Sequence, residues 1–228
     1  GALLSPEQFF RSYLLGYLYW IGITLVCLVL MMLHHLSGGA WGFAIRRVCE
    51  AATRTFPVMV VLFLPIVVGM QVLYVWARPE AGADEILGHK SAYLNVPFFL
   101  GRAALYFLVW TGLSWGLNRW SLEQDRTGDV ALQRKMQLFS GPGVVIFFLT
   151  VSFAAVDWIM SLEPHWFSTI FGALWIVGSG LNGFAFAIVV VALVVDDAPV
   201  RAVLGPDVYH DLGKLLLAFV MLWAYFSF

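Results

Sequence analysis

Asp157 is the best candidate in this sequence for a residue that does chemistry, because it is a carboxylate inside a long apolar segment. Ionisable side chains are costly in lipid, and where they occur they commonly mark ion pathways or proton relays. Thr150 and Ser161 fall on the same helical face and extend a polar stripe through the segment. One interpretation is a protonatable site that faces a cavity, near a quinol head group or on a proton path. The alternative is a structural carboxylate that is paired or hydrogen-bonded across helices.

Arg102 lies at a matching depth in the preceding apolar segment. It follows the predicted start of its span at Pro97, and Asp157 precedes the predicted end of the next span at Leu162, so each charge is roughly 7 Å deep at about 1.5 Å per residue. An isolated charge in hydrocarbon costs at least about 2.5 kcal/mol. We therefore expect the two side chains to form an ion pair or to share a polar network. A pair would favour the charged form of Asp157 and make it a poor proton acceptor. The alternative for Arg102 is snorkelling to the nearby interface.

Glu163 and His165 flank Pro164 in the short polar segment between two apolar runs. Both side chains can exchange protons, so they join Asp157 and Arg102 as candidates for proton transfer or for a position beside a quinone. The alternative is ordinary turn chemistry around the proline.

The histidines and cysteines do not have the spacing of a metal or haem site. A haem in a helix bundle needs histidines well inside facing helices. All five histidines fall at predicted helix ends or in loops: His34, His35, His89, His165 and His210. Cys27 lies in an apolar run and Cys49 in a predicted loop, and the two make neither a metal motif nor a disulfide framework. The sequence therefore predicts that this chain itself binds no metal, haem or other cofactor.

The composition requires a membrane environment. Apolar residues make up 61% of the 228 positions, charged residues 12%, and the mean hydropathy is +0.84. A soluble domain would carry about twice that charged fraction. The net charge of −1 gives no indication of a nucleic-acid partner.

Five apolar runs are long enough to cross a bilayer as helices, and a sixth begins near the end of the chain. They are residues 13–34, 56–77, 97–120, 141–162 and 166–195, with 214–228 too short to cross. The runs are continuous rather than alternating, which favours helices over a barrel. The predicted fold is all-α, a polytopic transmembrane helix bundle in one region, residues 1–228. The beginning at Gly1 and the end inside an apolar run are what we expect of a fragment of a longer chain.

Two of the predicted spans carry local signals. Pro57, Pro65 and Gly69 predict a kink or a broken turn in the second span. The fifth span contains two pairs of small residues four apart, which predict close packing against neighbouring helices. These pairs are Ser168 with Gly172, and Ser179 with Gly183.

Basic residues in the loops predict the topology, because cytoplasmic loops are enriched in Lys and Arg. One side holds Arg46, Arg47, Arg54, Arg119, Arg126, Arg134, Lys135, Arg201 and Lys214. The other side holds Arg11, Arg78 and Lys90. The first set is therefore placed in the cytoplasm, and residue 1 and the turn at residues 163–165 are placed outside.

Three stretches resemble a known family of respiratory membrane subunits. They are HHLSGGAWGFAIRRVCEAATRTFP at 34–57, AVDWIMSLEPHWFSTIFG at 155–172 and GPDVYHDLGKLLLAFVMLWAYFSF at 205–228. They look like the ActF type of membrane subunit of alternative complex III, a quinol:cytochrome c oxidoreductase. That subunit is related to the NrfD/polysulfide-reductase family of membrane anchors. The resemblance covers most of the chain, and the first two stretches are specific.

The resemblance implies an NrfD-like bundle, with this chain supplying about six of roughly ten spans. It implies a multi-pass protein of the bacterial inner (plasma) membrane whose residue-1 end is periplasmic or extracellular. The expected partners are a sibling NrfD-like subunit, subunits that carry iron–sulfur clusters and haem c, and membrane lipids. A quinone is the only ligand that the resemblance suggests for this chain.

Three functions therefore remain open. The first is a cofactor-free subunit of a quinol-oxidising respiratory complex that supports quinol handling or proton transfer and anchors partner subunits. The second is a secondary transporter or ion channel in which Asp157 is a coupling carboxylate and the kinked second span moves. The third is a purely structural anchor.

The predicted topology can be tested by accessibility labelling of single-cysteine variants in membranes. Replacements at Arg126 and at His165 should be labelled from opposite sides, because the loop charges place these residues on different sides. Labelling of both positions from the cytoplasm would contradict the topology.

Overall fold

The computed structural model describes residues 5–194 and 205–228, and within these ranges every regular element is a helix. The α-helices are α1 Pro6–Ser37, α2 Ala40–Thr53, α3 Phe56–Val68, α4 Met70–Leu73, α5 Glu85–Lys90, α6 Val96–Thr127, α7 Val130–Trp158, α8 Phe171–Leu193 and α9 Pro206–Ser227. Short 3-10 turns lie at Val75–Ala77, Pro79–Ala83 and Met160–Leu162. The predicted all-α class is confirmed for these residues.

The helices α1, α6, α7 and α8 are each long and apolar enough to cross a membrane. The pair formed by α2 and α3 can be a fifth span, bent by 47° where the two helices meet. The chain is therefore a candidate multi-span membrane protein with four or five spans among the described residues. The terminal helix α9 is not among these candidate spans, although it is 22 residues long and begins before the predicted apolar run at residues 214–228.

The predicted second span, residues 56–77, is wrong in its extent. Helix α3 ends at Val68, and Gly69 caps it. Pro65 lies inside α3, which stays helical through it, and the predicted break is found at Gly69, between α3 and α4. Residues 40–53, which the sequence had suggested were a loop, form helix α2, and α2 and α3 together are the candidate for this span. Cys49, predicted to lie in that loop, is buried in α2.

Other predicted boundaries differ less. Residues 13–34 and 97–120 lie within α1 and α6, and 141–162 lies in α7 and the 3-10 turn that follows it. Helix α8 begins at Phe171 rather than at residue 166, and position 195 is outside the described residues. Helix α9 begins at Pro206, because proline is well suited to the first turn of a helix.

Helix α1 is the centre of the bundle. Every residue from Ile21 to Met32 is buried, as expected of a helix that is apolar on all sides. It packs against α2, α3, α7 and α8. Hydrogen bonds join it to the bent pair in antiparallel order: the Thr24 and Thr55 hydroxyls lie 3.3 Å apart, and the Tyr17 hydroxyl donates to the Met59 carbonyl at 3.2 Å.

The bundle has two ends, which we name by their buried carboxylates. At the Asp157 end, the start of α1 lies beside the end of α7, since the rings of Tyr17 and Trp158 are 6.3 Å apart. The turn at residues 163–165 is at this end, as predicted. At the Glu50 end lie α2, the end of α1 and the end of α6. Residue 1 and Arg201, which enter the predicted topology, lie outside the described residues.

Small residues let α8 approach its neighbours closely, as predicted. A Cβ atom on Gly183 would lie 2.7 Å from Val26 in α1, and one on Gly172 would lie 3.0 Å from the backbone of Ser152 in α7. Ser179 fills the space beside Gly22 of α1. Ser168, the fourth small residue of the predicted pattern, lies before α8 begins.

Replacing Gly172 with alanine should destabilise the protein by about 1–3 kcal/mol, because the added methyl would meet the α7 backbone. Gly112 is the matched control, since a Cβ there has nothing within 4 Å and Gly112→Ala should gain about 0.5–1 kcal/mol from helix propensity. Thermal unfolding of the two variants in detergent measures the difference. Equal unfolding temperatures would contradict the close approach.

Candidate functional site

The best-defined buried polar site is formed where α6 begins and α7 ends. Asn95 starts α6 by accepting a hydrogen bond from the Phe98 N–H at 2.9 Å, which leaves Arg102 one and a half turns inside the helix. Asp157 lies in the last turn of α7. The two helices are antiparallel neighbours, so both side chains reach the same depth at the Asp157 end.

Arg102 and Asp157 form a two-pronged ion pair. Arg102 donates from Nε to Asp157 Oδ2 at 2.8 Å and from Nη2 to Oδ1 at 2.9 Å. The Tyr106 hydroxyl donates to Oδ2 at 2.7 Å. Asp157 has no exposed surface, and Arg102 is 8% exposed. The predicted pair is confirmed, and its parallel geometry is the strongest arrangement available to these two groups.

The third nitrogen of the guanidinium and its planar faces also have partners within the chain. Arg102 Nη1 donates to the Tyr93 carbonyl at 3.1 Å. The rings of Tyr93 and Phe98 lie 3.9 Å and 4.2 Å from the guanidinium carbon, within the range of cation–π attraction. Arg102 therefore does not snorkel to solvent, which was the alternative for this residue.

The side chains of the polar stripe predicted along α7 form hydrogen bonds that do not involve the carboxylate of Asp157. Thr150 accepts a hydrogen bond from the Trp110 indole at 2.9 Å. Ser161 donates to the backbone carbonyl of Asp157. The Tyr74 hydroxyl donates to the backbone carbonyl of Trp158 at 3.0 Å. The carboxylate of Asp157 is thus held by Arg102 and Tyr106 alone among these polar groups, and the ring of Trp158 beside it is fully buried.

Glu163 and His165 lie apart from this site, in the exposed turn after α7. The His165 Nε2 is 2.9 Å from Asp84 Oδ2. Asp84 also caps α5, and the backbone N–H of Leu87, together with His165, lowers the pKa of its carboxyl group. Lys90 donates to the carbonyl of the proline in the turn. These contacts fasten the turn to the segment before α6. They agree with the alternative that Glu163 and His165 belong to an ordinary turn around the proline.

The four predicted site residues therefore do not form one site. Arg102 and Asp157 are brought together in the interior, whereas Glu163 and His165 are exposed on the surface above them. Glu163 has no ion-pair partner among the residues that the structure describes.

A small apolar cleft of 270 Å³ opens beside the ion pair at the same end. Its walls are Lys90, Tyr93, Leu94, Val156, Met160, Ser161, Pro164, Trp166 and Phe167. The Tyr93 hydroxyl is buried and has no hydrogen-bond partner in the described chain. Burial raises the pKa of this hydroxyl, and the Asp157 carboxylate raises it further, so the group keeps its proton and can donate a hydrogen bond.

Sequence reasoning missed a second buried carboxylate, Glu50, at the other end of the bundle. Glu50 is 2% exposed and accepts from Arg46 at 2.8 Å and from Arg47 at 2.7 Å. Ser121 of α6 donates to the same carboxylate. The available signal was the spacing of these charges, three and four residues apart, which is that of neighbours on one helix face. It was overlooked because the segment was taken as a loop.

Further hydrogen bonds tie the junction of α2 and α3 to α6. Asn118 donates to the Thr53 hydroxyl at 2.9 Å, and Ser114 donates to the Thr53 carbonyl at 3.0 Å. Arg47 also pairs with Asp125 of α6. The bend between α2 and α3 is therefore held in place by side chains of a third helix.

The described residues contain no group of three or more His, Cys, Asp or Glu side chains that could hold a metal ion. The prediction that the chain binds no cofactor stays a prediction. Comparison with protein-family models gives no match, and comparison with curated proteins gives no significant match either.

Asp157→Asn should lower the stability of the protein by about 3–5 kcal/mol, because it leaves the buried arginine without its counter-charge. Tyr106→Phe removes only one hydrogen bond to a charged group and should cost about 1.5–3 kcal/mol. Denaturation of both single variants and of the double variant measures the coupling. Strictly additive effects would contradict a shared network.

Proposed function

We propose that this chain is a cofactor-free membrane subunit of a respiratory quinol:cytochrome c oxidoreductase, in which it anchors partner subunits. The observation that supports this role best is the complete internal pairing of Arg102 and Asp157. Both oxygens of the Asp157 carboxylate accept from Arg102, and Oδ2 also accepts from the Tyr106 hydroxyl. The ion pair then has a structural role, which is to hold the Asp157 end rigid.

The tied loops at this end support the anchoring role. The Asp84–His165 contact and the bond from Lys90 to Pro164 fix the turn against the segment before α6. Trp166 and Phe167 of the same region are exposed, Phe167 at 72%. A fixed surface that presents aromatic side chains is suited to contact with another protein, since interfaces are enriched in such residues. We assign this surface to the partner subunits, which would carry the iron–sulfur clusters and haem c.

The sequence resemblance to alternative complex III provides the biochemical context for the proposal. In that context the protein lies in the bacterial inner membrane with its Asp157 end outside, and its other neighbours are a sibling NrfD-like subunit and lipids. In that context the electron carriers would belong to the partner subunits.

Quinol handling is a second candidate function, and the cleft beside the ion pair favours it. The cleft is apolar, and Tyr93 on its wall has a buried hydroxyl that can donate a hydrogen bond. Ligand sites commonly combine an apolar wall with a few polar groups. A quinone ring in this cleft would lie close to Asp157 without making Asp157 the proton acceptor.

The transporter interpretation has less support. A coupling carboxylate must be reached by its ion, but Asp157 is fully buried and paired, and it is not on the wall of the neighbouring 270 Å³ cleft. The bend between α2 and α3 would suit a moving element, yet Thr53, Ser114 and Asn118 hold it against α6.

The decisive experiment compares assembly with turnover in the native membrane. Full-length protein purified through an affinity tag should be recovered with stoichiometric haem c and with quinol:cytochrome c reductase activity. Asp157→Asn should reduce the amount of assembled complex several-fold while the turnover of each assembled complex stays normal.

Tyr93→Phe is the companion variant for the cleft. It should leave assembly intact and raise the KM for quinol if the cleft holds the ring. Normal assembly of Asp157→Asn with lost turnover would instead support a proton relay. Recovery of the protein alone, without haem c, would overturn the proposed function.

A further inference from the structure

A second cleft, of 630 Å³, lies at the Glu50 end between the α2–α3 junction and the last half of α6. Its walls are Thr53, Arg54, Phe56, Pro57, Thr111, Ser114, Trp115, Asn118, Arg119, Leu122, Glu123, Arg126 and Thr127. The wall residues from α6, Thr111 to Thr127, extend over about 24 Å along that helix at roughly 1.5 Å per residue. The cleft is therefore long and follows the direction in which a lipid lies in a bilayer.

The chemistry of the walls changes along the cleft. The exposed side chains of Pro57 and Trp115 form an apolar part, with the buried ring of Phe56 behind them. Arg119 and Arg126 follow on α6, one and three turns closer to its end. An apolar section that leads into a basic section is complementary to a molecule with a hydrocarbon chain and an anionic head group.

The arginines of this cleft lack counter-charges, unlike those beside it. Arg46 and Arg47 pair with carboxylates of the chain. Among residues 5–194 and 205–228, no carboxylate pairs with Arg54, Arg119 or Arg126. Arg54 contacts only the neutral amide of Asn118, at 3.3 Å, and Arg119 lies 5.3 Å from the centre of the Trp115 ring.

Glu123 is the single carboxylate on the wall of the cleft, against the three arginines. The cleft thus retains excess positive charge at the level where loop charges predict the cytoplasmic interface. Basic pockets between helices on that side of a membrane are suited to the phosphate of anionic lipids.

We propose that this cleft binds one anionic phospholipid, with its phosphate among Arg54, Arg119 and Arg126 and an acyl chain along Pro57 and Trp115. The bound lipid would supply the counter-charge that the chain does not provide. It would also cover the bend between α2 and α3, where a broken span exposes apolar surface. The proposal does not depend on the redox function, because it rests on the other end of the bundle.

The test uses the full-length protein, in the assembly in which it is purified, after removal of native lipid. Native mass spectrometry then follows titration with phosphatidylglycerol or with phosphatidylcholine of the same acyl chains. We expect one tightly bound phosphatidylglycerol and weaker binding of phosphatidylcholine. Each of Arg54→Gln and Arg119→Gln should weaken binding of phosphatidylglycerol about fivefold, and the double variant about 25-fold.

Arg134→Gln is the matched control. Arg134 is an exposed arginine near the start of α7 and is not on the wall of this cleft, so its loss should leave binding unchanged. Glycerol phosphate, which has the anionic head without acyl chains, should compete poorly because it does not use the apolar wall.

Three results would overturn the proposal. They are equal binding of the two phospholipids, unchanged binding in the double variant with an intact unfolding temperature, and displacement of the lipid by an equimolar concentration of glycerol phosphate. The preference of the unmodified protein for phosphatidylglycerol is an independent measure if a variant fails to fold.

Discussion

The ion pair between Arg102 and Asp157 is the constraint on which the Asp157 end depends. Each of these charges alone would be costly in the interior, and only their parallel geometry, with a third donor from Tyr106, makes their burial acceptable. The pair fixes the rotation of α6 against α7. It also holds the segment before α6, because Arg102 contacts both the carbonyl and the ring of Tyr93.

The two ends of the bundle use buried charge in the same way. Each has a nearly inaccessible carboxylate that is satisfied by arginine and by a hydroxyl from α6: Tyr106 for Asp157, and Ser121 for Glu50. Helix α6 therefore connects both networks, and the apolar middle between them contains α1. Among the described residues, the buried charges of Glu50, Arg102 and Asp157 are all paired within the chain. This property agrees better with a subunit that carries partners than with one whose helices must move.

Function in such a protein is to be sought where polar groups remain unsatisfied. The buried Tyr93 hydroxyl beside the apolar cleft is one such place, and the unpaired arginines of the opposite cleft are another. The first suits a neutral ring with a hydrogen-bond acceptor, and the second suits an anion with a hydrocarbon chain. In each cleft, the polar or charged group that has no partner in the chain indicates which ligand would fit.

Composition and run length were enough to predict a bundle of membrane helices, because only helices and closed barrels satisfy the backbone in lipid and the apolar runs here are continuous rather than alternating. Matched depth in neighbouring spans was enough to predict that Arg102 would meet Asp157, since a lone charge there is too costly. The sequence could not place Glu50, because an amphipathic helix rich in arginine resembles a cytoplasmic loop until α1 and α6 are packed on it. The sequence placed Asp157 inside a span and Glu163 in the turn after it, but it could not show that the two side chains belong to separate sites. Tertiary structure decided which charges are neutralised within the chain, since that depends on distances between helices rather than on positions along them.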